Sequence, residues 1–468
     1  MTTETGSWAQ LVAPRHRGAV TVLAGGTLMF AVDTYVTASL LPSAVTEIGG
    51  AAFYAWPTTL FLLAAVVASS LTSRVLATVP AGRAYLVALA VFAVGSLVDA
   101  LAPSMAVFLL GRVVQGVGGG LLAGMGYALI RIALPRTLWT RGSAVIAAMW
   151  GVALIVGPGL GGLLAELGYW RWAFGALVVG SLLIAAIVPS ALHRARARTA
   201  PGPFPLVSVL LVGAAAAVLS VAGLAADLRV AGAGLLVAAV LLVLFVVHER
   251  RTNAAVLPRA TFRPGSPLRW IYGLSAVLVG VSALEAFVPL IGQQVAGLAP
   301  VLAGFLGVAL GAGWVFGEMV SASARRPRPR VLAGPSLLAA GTVLVAVTLL
   351  TLDGPLAVVL WAAGLVLGGA GIGTAWPHLA ASAIGGAEPE PDSVTEQDEG
   401  EGDKASAAVT TVQMLAVSVG TALGGVGLAL GAGDPLASAR WLFATFAVVA
   451  VVGVLTARAA ARGVPAST

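Results

Sequence analysis

Two residues of opposite charge lie inside apolar stretches of the chain. Asp33 lies within the otherwise uncharged run 18–41, and Arg112 lies within the apolar run 105–130. An ionisable group inside a membrane helix costs ~2.5 to 3.5 kcal/mol on insertion scales, so it is a functional-site candidate. At a rise of ~1.5 Å per residue, the two lie at similar depths. We therefore predict that they can form an ion pair.

Asp33 is the predicted proton-binding group, with Arg112 beside it. A buried carboxylate that water reaches alternately from two sides can gain and lose a proton, because hydration and the nearby cation decide its charge. A permanent pair that only joins two helices is the structural alternative. Glu285 lies at a matching depth in the run 270–291. It can take up a proton, bind a cationic substrate or reach the outer interface.

Other side chains in the apolar runs can orient these groups or contact a substrate. The candidates for a substrate cavity are Gln115, Gln413, Trp150, Trp314 and Trp361. Core packing and ordinary interhelical hydrogen bonding are the alternatives for them. Asp99 and Glu318 lie near the ends of their runs, where a side chain reaches water at little cost. We expect both to be structural.

Helices that cross a membrane must position these residues. Of 468 residues, 59% are hydrophobic and 10% are charged, with a mean hydropathy of +0.99, whereas soluble domains carry about 25% charged residues. A helix needs about 20 apolar residues to cross the hydrocarbon core. The sequence predicts an all-α integral membrane protein with fourteen spans: 17–42, 53–73, 84–102, 105–130, 143–165, 173–192, 205–226, 230–247, 270–291, 299–321, 331–352, 355–380, 405–430 and 439–457.

The distribution of Arg and Lys predicts the orientation of these spans. With the N-terminus in the cytoplasm, 22 of the 26 Arg and Lys residues fall in cytoplasmic segments, as cytoplasmic loops require. An even number of spans puts both termini on that side. The net charge of +7 therefore reflects topology and contacts to membrane lipids, not nucleic-acid binding. The predicted location is the plasma membrane.

The residue content gives little support to metal, cofactor or enzyme chemistry. The chain has no cysteine and four histidines, so metal ligands are scarce. Gly157, Gly159 and Gly162 match the spacing of a dinucleotide fingerprint, but the strand that must precede it is implausible in a membrane span. No phosphate-binding loop of the ATPase type is present. We predict no cofactor, no metal and no enzymatic activity.

Two loops suggest a division of the chain. A basic segment, 249–269, separates eight spans from six. We predict an N-terminal six-helix bundle over 1–192, two linker spans with a connector over 193–269, and a C-terminal six-helix bundle over 270–468. The segment 386–404 holds eight acidic residues and one Lys, and we expect this cytoplasmic loop to be disordered.

Two glycine patterns suggest close helix packing and motion. Gly116, Gly120 and Gly124 repeat every four residues on one helix face, which lets a neighbouring backbone approach. In the fifth span, a cluster of small residues and one proline predicts a thin, bent helix on which two halves could rock. That cluster consists of Gly157, Pro158, Gly159, Gly161 and Gly162.

Three motifs, in order, resemble the fourteen-span drug/proton antiporter branch of the major facilitator superfamily. They are AVDTYVTASLLP from Ala31, LGRVVQGVGGG from Leu110 and GVALIVGPGLGG from Gly151. The resemblance implies a transporter that exports small amphipathic molecules by alternating access, driven by proton antiport. A lipid or cell-envelope precursor transporter of the same fold is the alternative, because fold constrains substrate weakly. The expected partners are an amphipathic substrate, protons and membrane lipids, and a monomer is expected.

The chain departs from that family in the loop after the second span. Ser73 stands where the family has Asp, which puts the intracellular latch of that loop in doubt. One hypothesis is that the acidic segment 386–404 supplies the missing negative charge to nearby arginines. Exposed ion pairs contribute only ~0 to 1 kcal/mol each, so a solvated linker is the alternative.

Overall fold

A computed structural model describes residues 8–192, 205–222, 228–252, 257–321, 324, 326–385 and 396–464. Contacts between Cα atoms divide the chain into two compact units, Met1–Phe204 (unit 1) and Pro205–Thr468 (unit 2). Over the described residues, the regular elements are all helices.

Within its described residues, unit 1 contains eight α-helices and two short 3-10 helices, Ala51–Phe53 and Arg136–Leu138. The α-helices are α1 (Trp8–Leu11), α2 (Pro14–Ile48), α3 (Trp56–Ser70), α4 (Thr72–Thr78), α5 (Ala81–Ala100), α6 (Met105–Ala133), α7 (Trp139–Glu166) and α8 (Trp170–Ala191).

The packing of unit 1 places α2 and α6 at its centre. α2 packs against α6, α7 and α8, and α6 also packs against α3 and α5. Both central helices therefore present polar side chains to protein rather than to lipid, where an unpaired polar group would be costly.

The described part of unit 2 contains ten α-helices and two 3-10 helices, Arg259–Phe262 and Ser282–Ala286. The α-helices are α9 (Leu206–Ala222), α10 (Leu228–Glu249), α11 (Leu268–Val281), α12 (Val288–Gln294), α13 (Pro300–Gly307), α14 (Ala309–Ser321), α15 (Pro327–Thr351), α16 (Pro355–Gly385), α17 (Glu396–Ala429) and α18 (Pro435–Ala461). α9 packs against α10 and α17, so α9 connects the two extra central helices to the C-terminal helices. The three-part division of the chain stays a prediction.

The predicted all-α membrane fold is confirmed. Thirteen helical segments of the described chain are long and apolar enough to cross a membrane, and α9 is a shorter apolar helix at a fourteenth predicted span. Each predicted span coincides with one of these segments, with ends that differ by a few residues.

Two predicted spans are interrupted. The ninth span is α11 and α12 joined by the 3-10 helix Ser282–Ala286, and the tenth is α13 and α14 separated at Val308. Apart from Glu285, the residues at these breaks are apolar or small, so a hydropathy pattern does not detect the breaks. Pro289, near the start of α12, lacks a backbone N–H and is tolerated there because a first-turn N–H has no helical partner.

The acidic segment also differs from the expectation. α17 begins at Glu396, so residues 396–404 are helical rather than disordered, while 386–395 lie outside the described residues. Five of the nine residues 396–404 are Glu, Gln or Lys, which favour a helix although Gly400 and Gly402 oppose it, and acidic residues near a helix N-terminus interact favourably with its dipole. Helix propensity therefore outweighs the low hydrophobicity of 396–404. The proposed contact of this segment with arginines stays a prediction.

Candidate functional site

Asp33 lies near the middle of α2 and is completely buried. Its side chain is 0% exposed, in a helix that is otherwise uncharged for more than two turns on either side. A buried carboxylate needs paired charges and hydrogen bonds to remain ionised. The groups around Asp33 therefore decide what it can do.

Arg112 on α6 supplies the paired charge. Its Nη1 lies 2.9 Å from both Oδ1 and Oδ2 of Asp33, and its Nε donates to the Pro57 carbonyl at 3.3 Å. The guanidinium also lies over the ring of Phe61, 4.2 Å from the centroid. Arg112 is 1% exposed, so residues of α2 and α3 satisfy a charge that has no access to water.

Gln115, one turn further along α6, links the ion pair to α5. Its Oε1 accepts from Arg112, while its Nε2 donates to Asp33 Oδ1 at 2.9 Å and to Ser96 Oγ at 2.8 Å. Thr37 donates to Asp33 Oδ1 at 3.4 Å. We call these five residues the Asp33 network: Asp33, Thr37, Ser96, Arg112 and Gln115.

Glycines allow the helices of the network to approach closely. A Cβ added at Gly95 on α5 would lie 2.6 Å from the Cβ of Gln115. On α6, a Cβ at Gly120 would lie 2.5 Å from the Cα of Ala65 on α3, and Gly116 faces the backbone of Phe61 in the same way. These contacts bring Ser96 and Phe61 within reach of α6 side chains.

Asp99 is a buried acid, so the expectation that its side chain reaches water at the end of the span is wrong. Its side chain is 0% exposed, and neither carboxyl oxygen has a hydrogen-bond partner. A Cβ at Gly111 would lie 2.8 Å from Asp99 Cγ, so the carboxyl group is directed at α6 rather than at the membrane surface. Both Arg112 and Asp33 interact electrostatically with Asp99.

Glu285 lies in unit 2, within the 3-10 helix Ser282–Ala286. Its Oε1 is buried without a hydrogen-bond partner, and the carboxyl group interacts with the backbone of Gly311 in the first turn of α14. Interrupted membrane helices free backbone groups and often form ligand sites in transporters. Glu285 therefore lies within one helix break and contacts the chain just after the second, at Val308. The sequence pattern revealed neither break.

The remaining cavity candidates lie in different environments. In unit 1, Trp150 is half-buried and makes edge contacts with Phe30 and Tyr35, at centroid distances of 6.0 and 6.5 Å. In unit 2, Trp314 makes a similar contact with Trp376 at 5.8 Å. Phe30 and Tyr35 flank Asp33 along α2, so Trp150 extends an aromatic surface beside the network.

Two further candidates lie in unit 2. Trp361 is buried and lines a cleft of about 340 Å³ near the turn between α15 and α16, and its Nε1 has no hydrogen-bond partner. Gln413 is half-buried on α17. Glu318, which was expected to be structural, is half-buried on α14 and interacts with Trp314.

The glycine cluster of the fifth span lies on α7, which continues through Pro158. A Cβ at Gly161 would lie 2.6 Å from the Val36 carbonyl oxygen, and Gly157 lies against Tyr35 in the same way. Gly159 faces open space, while Gly162 is buried. α7 therefore packs through two of its glycines onto α2, within three residues of Asp33.

Comparisons with known proteins support a single family. The family model of the Major Facilitator Superfamily matches residues 23–393. "Probable multidrug-efflux transporter Rv1634" of Mycobacterium tuberculosis (strain ATCC 25618 / H37Rv) is 46% identical over 466 residues, covering 97% of this chain and 96% of that protein.

Solved transporter structures share the fold at low sequence identity. A bacterial homologue of the human lysosomal transporter Spinster, in an inward-facing and unoccupied conformation, gives a TM-score of 0.63 at 14% identity over 98% of both chains. A POT family transporter in complex with 5-aminolevulinic acid gives 0.67 at 12% identity, over 97% of this chain and 96% of that chain. At such identities the likeness shows the fold alone.

Proposed function

The chain belongs to the major facilitator superfamily, and we propose that it exports small amphipathic molecules by alternating access, driven by proton antiport. It is a multi-pass membrane transporter with a multidrug-efflux relative that is 46% identical across 97% of the chain. The name of that relative supports the substrate class. The Asp33 network supports the driving force and the cycle.

The burial of the Asp33–Arg112 pair is the observation that carries the proposal. Removing one partner of a buried ion pair typically costs ~3 to 5 kcal/mol, because the other charge remains without compensation. A proton on Asp33 removes the negative charge that compensates Arg112. The arrangement in which α2 and α6 bury Arg112 then becomes less stable relative to one in which water reaches Arg112. Proton binding thereby favours one arrangement of helices over another, as coupled transport requires.

The membrane potential is large enough to drive such a cycle. Moving one elementary charge through the membrane is worth ~2.3 kcal/mol per 100 mV. One proton returned for each neutral molecule exported therefore gives a substantial bias, whereas exchange of one proton for one monovalent cation moves no net charge and is driven by the pH gradient. The proposed orientation has both termini in the cytoplasm and the chain in the plasma membrane, and it rests on the distribution of arginines in the loops.

The side chains beside the network fit an amphipathic molecule. Tyr35, Trp150 and Phe30 form a series of aromatic contacts that reaches Phe61, the ring beside Arg112. Flat apolar groups pack on such rings, and a cation interacts with their faces. Glu285 in unit 2 is a second carboxylate for a substrate cation or a proton, and we assign it to the transport path.

The experiment that tests this function uses inverted membrane vesicles with an acidic interior. We expect wild-type protein to take up ethidium, a fluorescent cation, and expect uptake to stop when nigericin collapses the pH gradient. Asp33→Asn keeps the size of the side chain but cannot exchange a proton, so gradient-driven uptake should fall by at least about tenfold. The rate of fluorescence change measures it.

Glu166→Gln is the matched control, because Glu166 is an exposed acid at the end of α7 in the same unit. It should transport like wild type. Neutral and anionic dyes extend the panel and define the charge preference. Uptake that continues after nigericin collapses the pH gradient would rule out proton antiport. Movement of a fluorescent phospholipid, with no movement of any dye, would favour the lipid-transporter alternative.

A further inference from the structure

Asp99 is a buried acid that the proposed cycle does not yet use. Both of its carboxyl oxygens lack hydrogen-bond partners, and its side chain is 0% exposed. An ionised carboxylate in this position would add an unpaired charge beside the Asp33–Arg112 pair, which is avoided in protein interiors. The geometry therefore favours a neutral, protonated Asp99 in this arrangement.

We propose that Asp99 is the acid through which protons reach Asp33, and that Arg112 is the counter-ion that the two carboxyl groups share in turn. The proposal deepens the proton antiport proposed above and rests on it. Asp99 lies one helical turn beyond Ser96 on the same face of α5, and Ser96 accepts a hydrogen bond from the Gln115 amide that also binds Asp33. Both acids thus lie beside one stretch of α6.

The depth of Asp99 fits a position on the proton's path. Asp99 lies in the last turn of α5, which ends at Ala100, whereas Asp33 lies near the middle of α2. In the proposed orientation this end of α5 faces the outside. A proton that enters from outside would therefore meet Asp99 before Asp33.

The transfer balances charge at every stage. At the start, Asp99 is a neutral acid and Asp33 is a carboxylate paired with Arg112. The O–H bond at Asp99 breaks, a water molecule carries the proton, and an O–H bond forms at Asp33. Arg112 then pairs with the Asp99 carboxylate. The three groups carry no net charge before or after this transfer. When Asp99 takes up the next proton from outside, Arg112 loses its second partner, and the arrangement that buries Arg112 becomes less stable, as the proposed function requires.

The other ionisable groups around Asp99 fit this scheme. Of the helices that pack closely on α5, α6 contributes Arg112 at this level and α8 contributes Arg171, while Asp33 faces Asp99 from α2. Arg171 is engaged elsewhere, because its Nη2 donates to the Ala102 carbonyl at 2.9 Å and its Nη1 binds Glu47. Arg112 is therefore the cation available to a charged Asp99.

The test uses the same inverted vesicles and compares Asp99→Asn, Asp33→Asn and Glu166→Gln with wild type. We expect Asp99→Asn to lose gradient-driven ethidium uptake by at least about tenfold, because an amide cannot pass on a proton. Exchange of labelled for unlabelled ethidium without a gradient should persist in Asp99→Asn, because exchange needs no proton transfer. Glu166→Gln should retain both activities.

A second measurement reports the proton itself. In infrared spectra of purified wild-type protein, Asp99 should contribute the carbonyl band of a protonated carboxyl group at neutral pH. That band should disappear in Asp99→Asn and remain in Glu166→Gln. If Asp99→Asn takes up ethidium at the wild-type rate, or if its infrared band is unchanged, the role of Asp99 is wrong while the proposed function still stands. If uptake by the wild-type protein does not depend on the pH gradient, the proposed function itself is wrong.

Asp99→Glu keeps the test decisive if Asp99→Asn does not fold. It retains an acid but moves the carboxyl group by one methylene toward Gly111. We expect its uptake to show a pH profile shifted from that of wild type, since the proton acceptor has moved. A lower rate with an unchanged pH profile means a packing role, and it overturns the proposal.

Discussion

The ion pair between Asp33 and Arg112 is buried on both sides, at 0% and 1% side-chain exposure, so desolvation governs its energetics. Each charge is tolerated because the other is present. Arg112→Gln and Asp33→Asn should each destabilise the purified protein by several kcal/mol, toward the ~3 to 5 kcal/mol typical of breaking such a pair. The double variant should lose less than the sum of the two, by about 1 to 3 kcal/mol.

Thermal unfolding in detergent measures all members of this double-mutant cycle under one set of conditions. Glu47 and Arg171 provide the comparison, because this pair is much more exposed, at 52% and 32%. Its cycle should show a coupling of ~1 kcal/mol or less. Additive effects of the two variants at Asp33 and Arg112 would mean that the charges do not depend on each other in the folded protein.

The sequence predicted the pairing of Asp33 with Arg112 but not the burial of Asp99. Similar depth in two apolar runs was enough to associate Asp33 with Arg112, since few groups inside a membrane protein can compensate a charge. Distance from a span end was not enough for Asp99, because it does not define where a side chain points. The packing of Gly111 against the carboxyl group decides that direction, and only the folded helices contain this information.

Among the helices, substitution of the glycines in α7 tests how closely this helix must approach α2. A Cβ at Gly161 would lie 2.6 Å from the Val36 carbonyl oxygen and 2.9 Å from its Cα, so backbone would have to move. Gly161→Ala should therefore destabilise the protein by about 1 to 3 kcal/mol, the usual cost of overpacking. Gly159→Ala, two residues away and facing open space, should be neutral or slightly stabilising. Thermal unfolding compares them.

Transport assays on the same two variants separate packing from motion. Should Gly161→Ala fold stably and transport ethidium as fast as Gly159→Ala, close contact between α7 and α2 would be unnecessary for the cycle. A slower Gly161→Ala with retained ethidium binding would support the predicted movement of this helix pair.

The existence and order of the helices could be predicted, but their interruptions could not. Runs of about 20 apolar residues identify spans because lipid demands them over the whole membrane thickness. The segment Leu268–Gln294 remains apolar enough for a single span despite the break at Ser282–Ala286, so the pattern gives no sign of the local geometry around Glu285. At α17 the low hydrophobicity of the acidic segment suggested disorder. The helix instead begins at Glu396.

For the whole molecule, the central question is which side of the membrane each loop faces. The absence of cysteine allows single cysteines to be introduced without removing any. Leu167 follows α7 and is 58% exposed, and Thr78, the last residue of α4, is also exposed. The arginine distribution predicts that Leu167 is outside and Thr78 is inside.

A membrane-impermeant maleimide should therefore label Leu167→Cys in intact cells and Thr78→Cys only after the membrane is opened, while the cysteine-free parent stays unlabelled. This result also bears on proton entry, because α5 and α7 run in the same direction in the predicted topology. Asp99, in the last turn of α5, would then lie toward the side from which protons enter. Labelling of Thr78→Cys in intact cells would reverse the orientation, place Asp99 toward the cytoplasm, and make it a proton exit rather than an entrance.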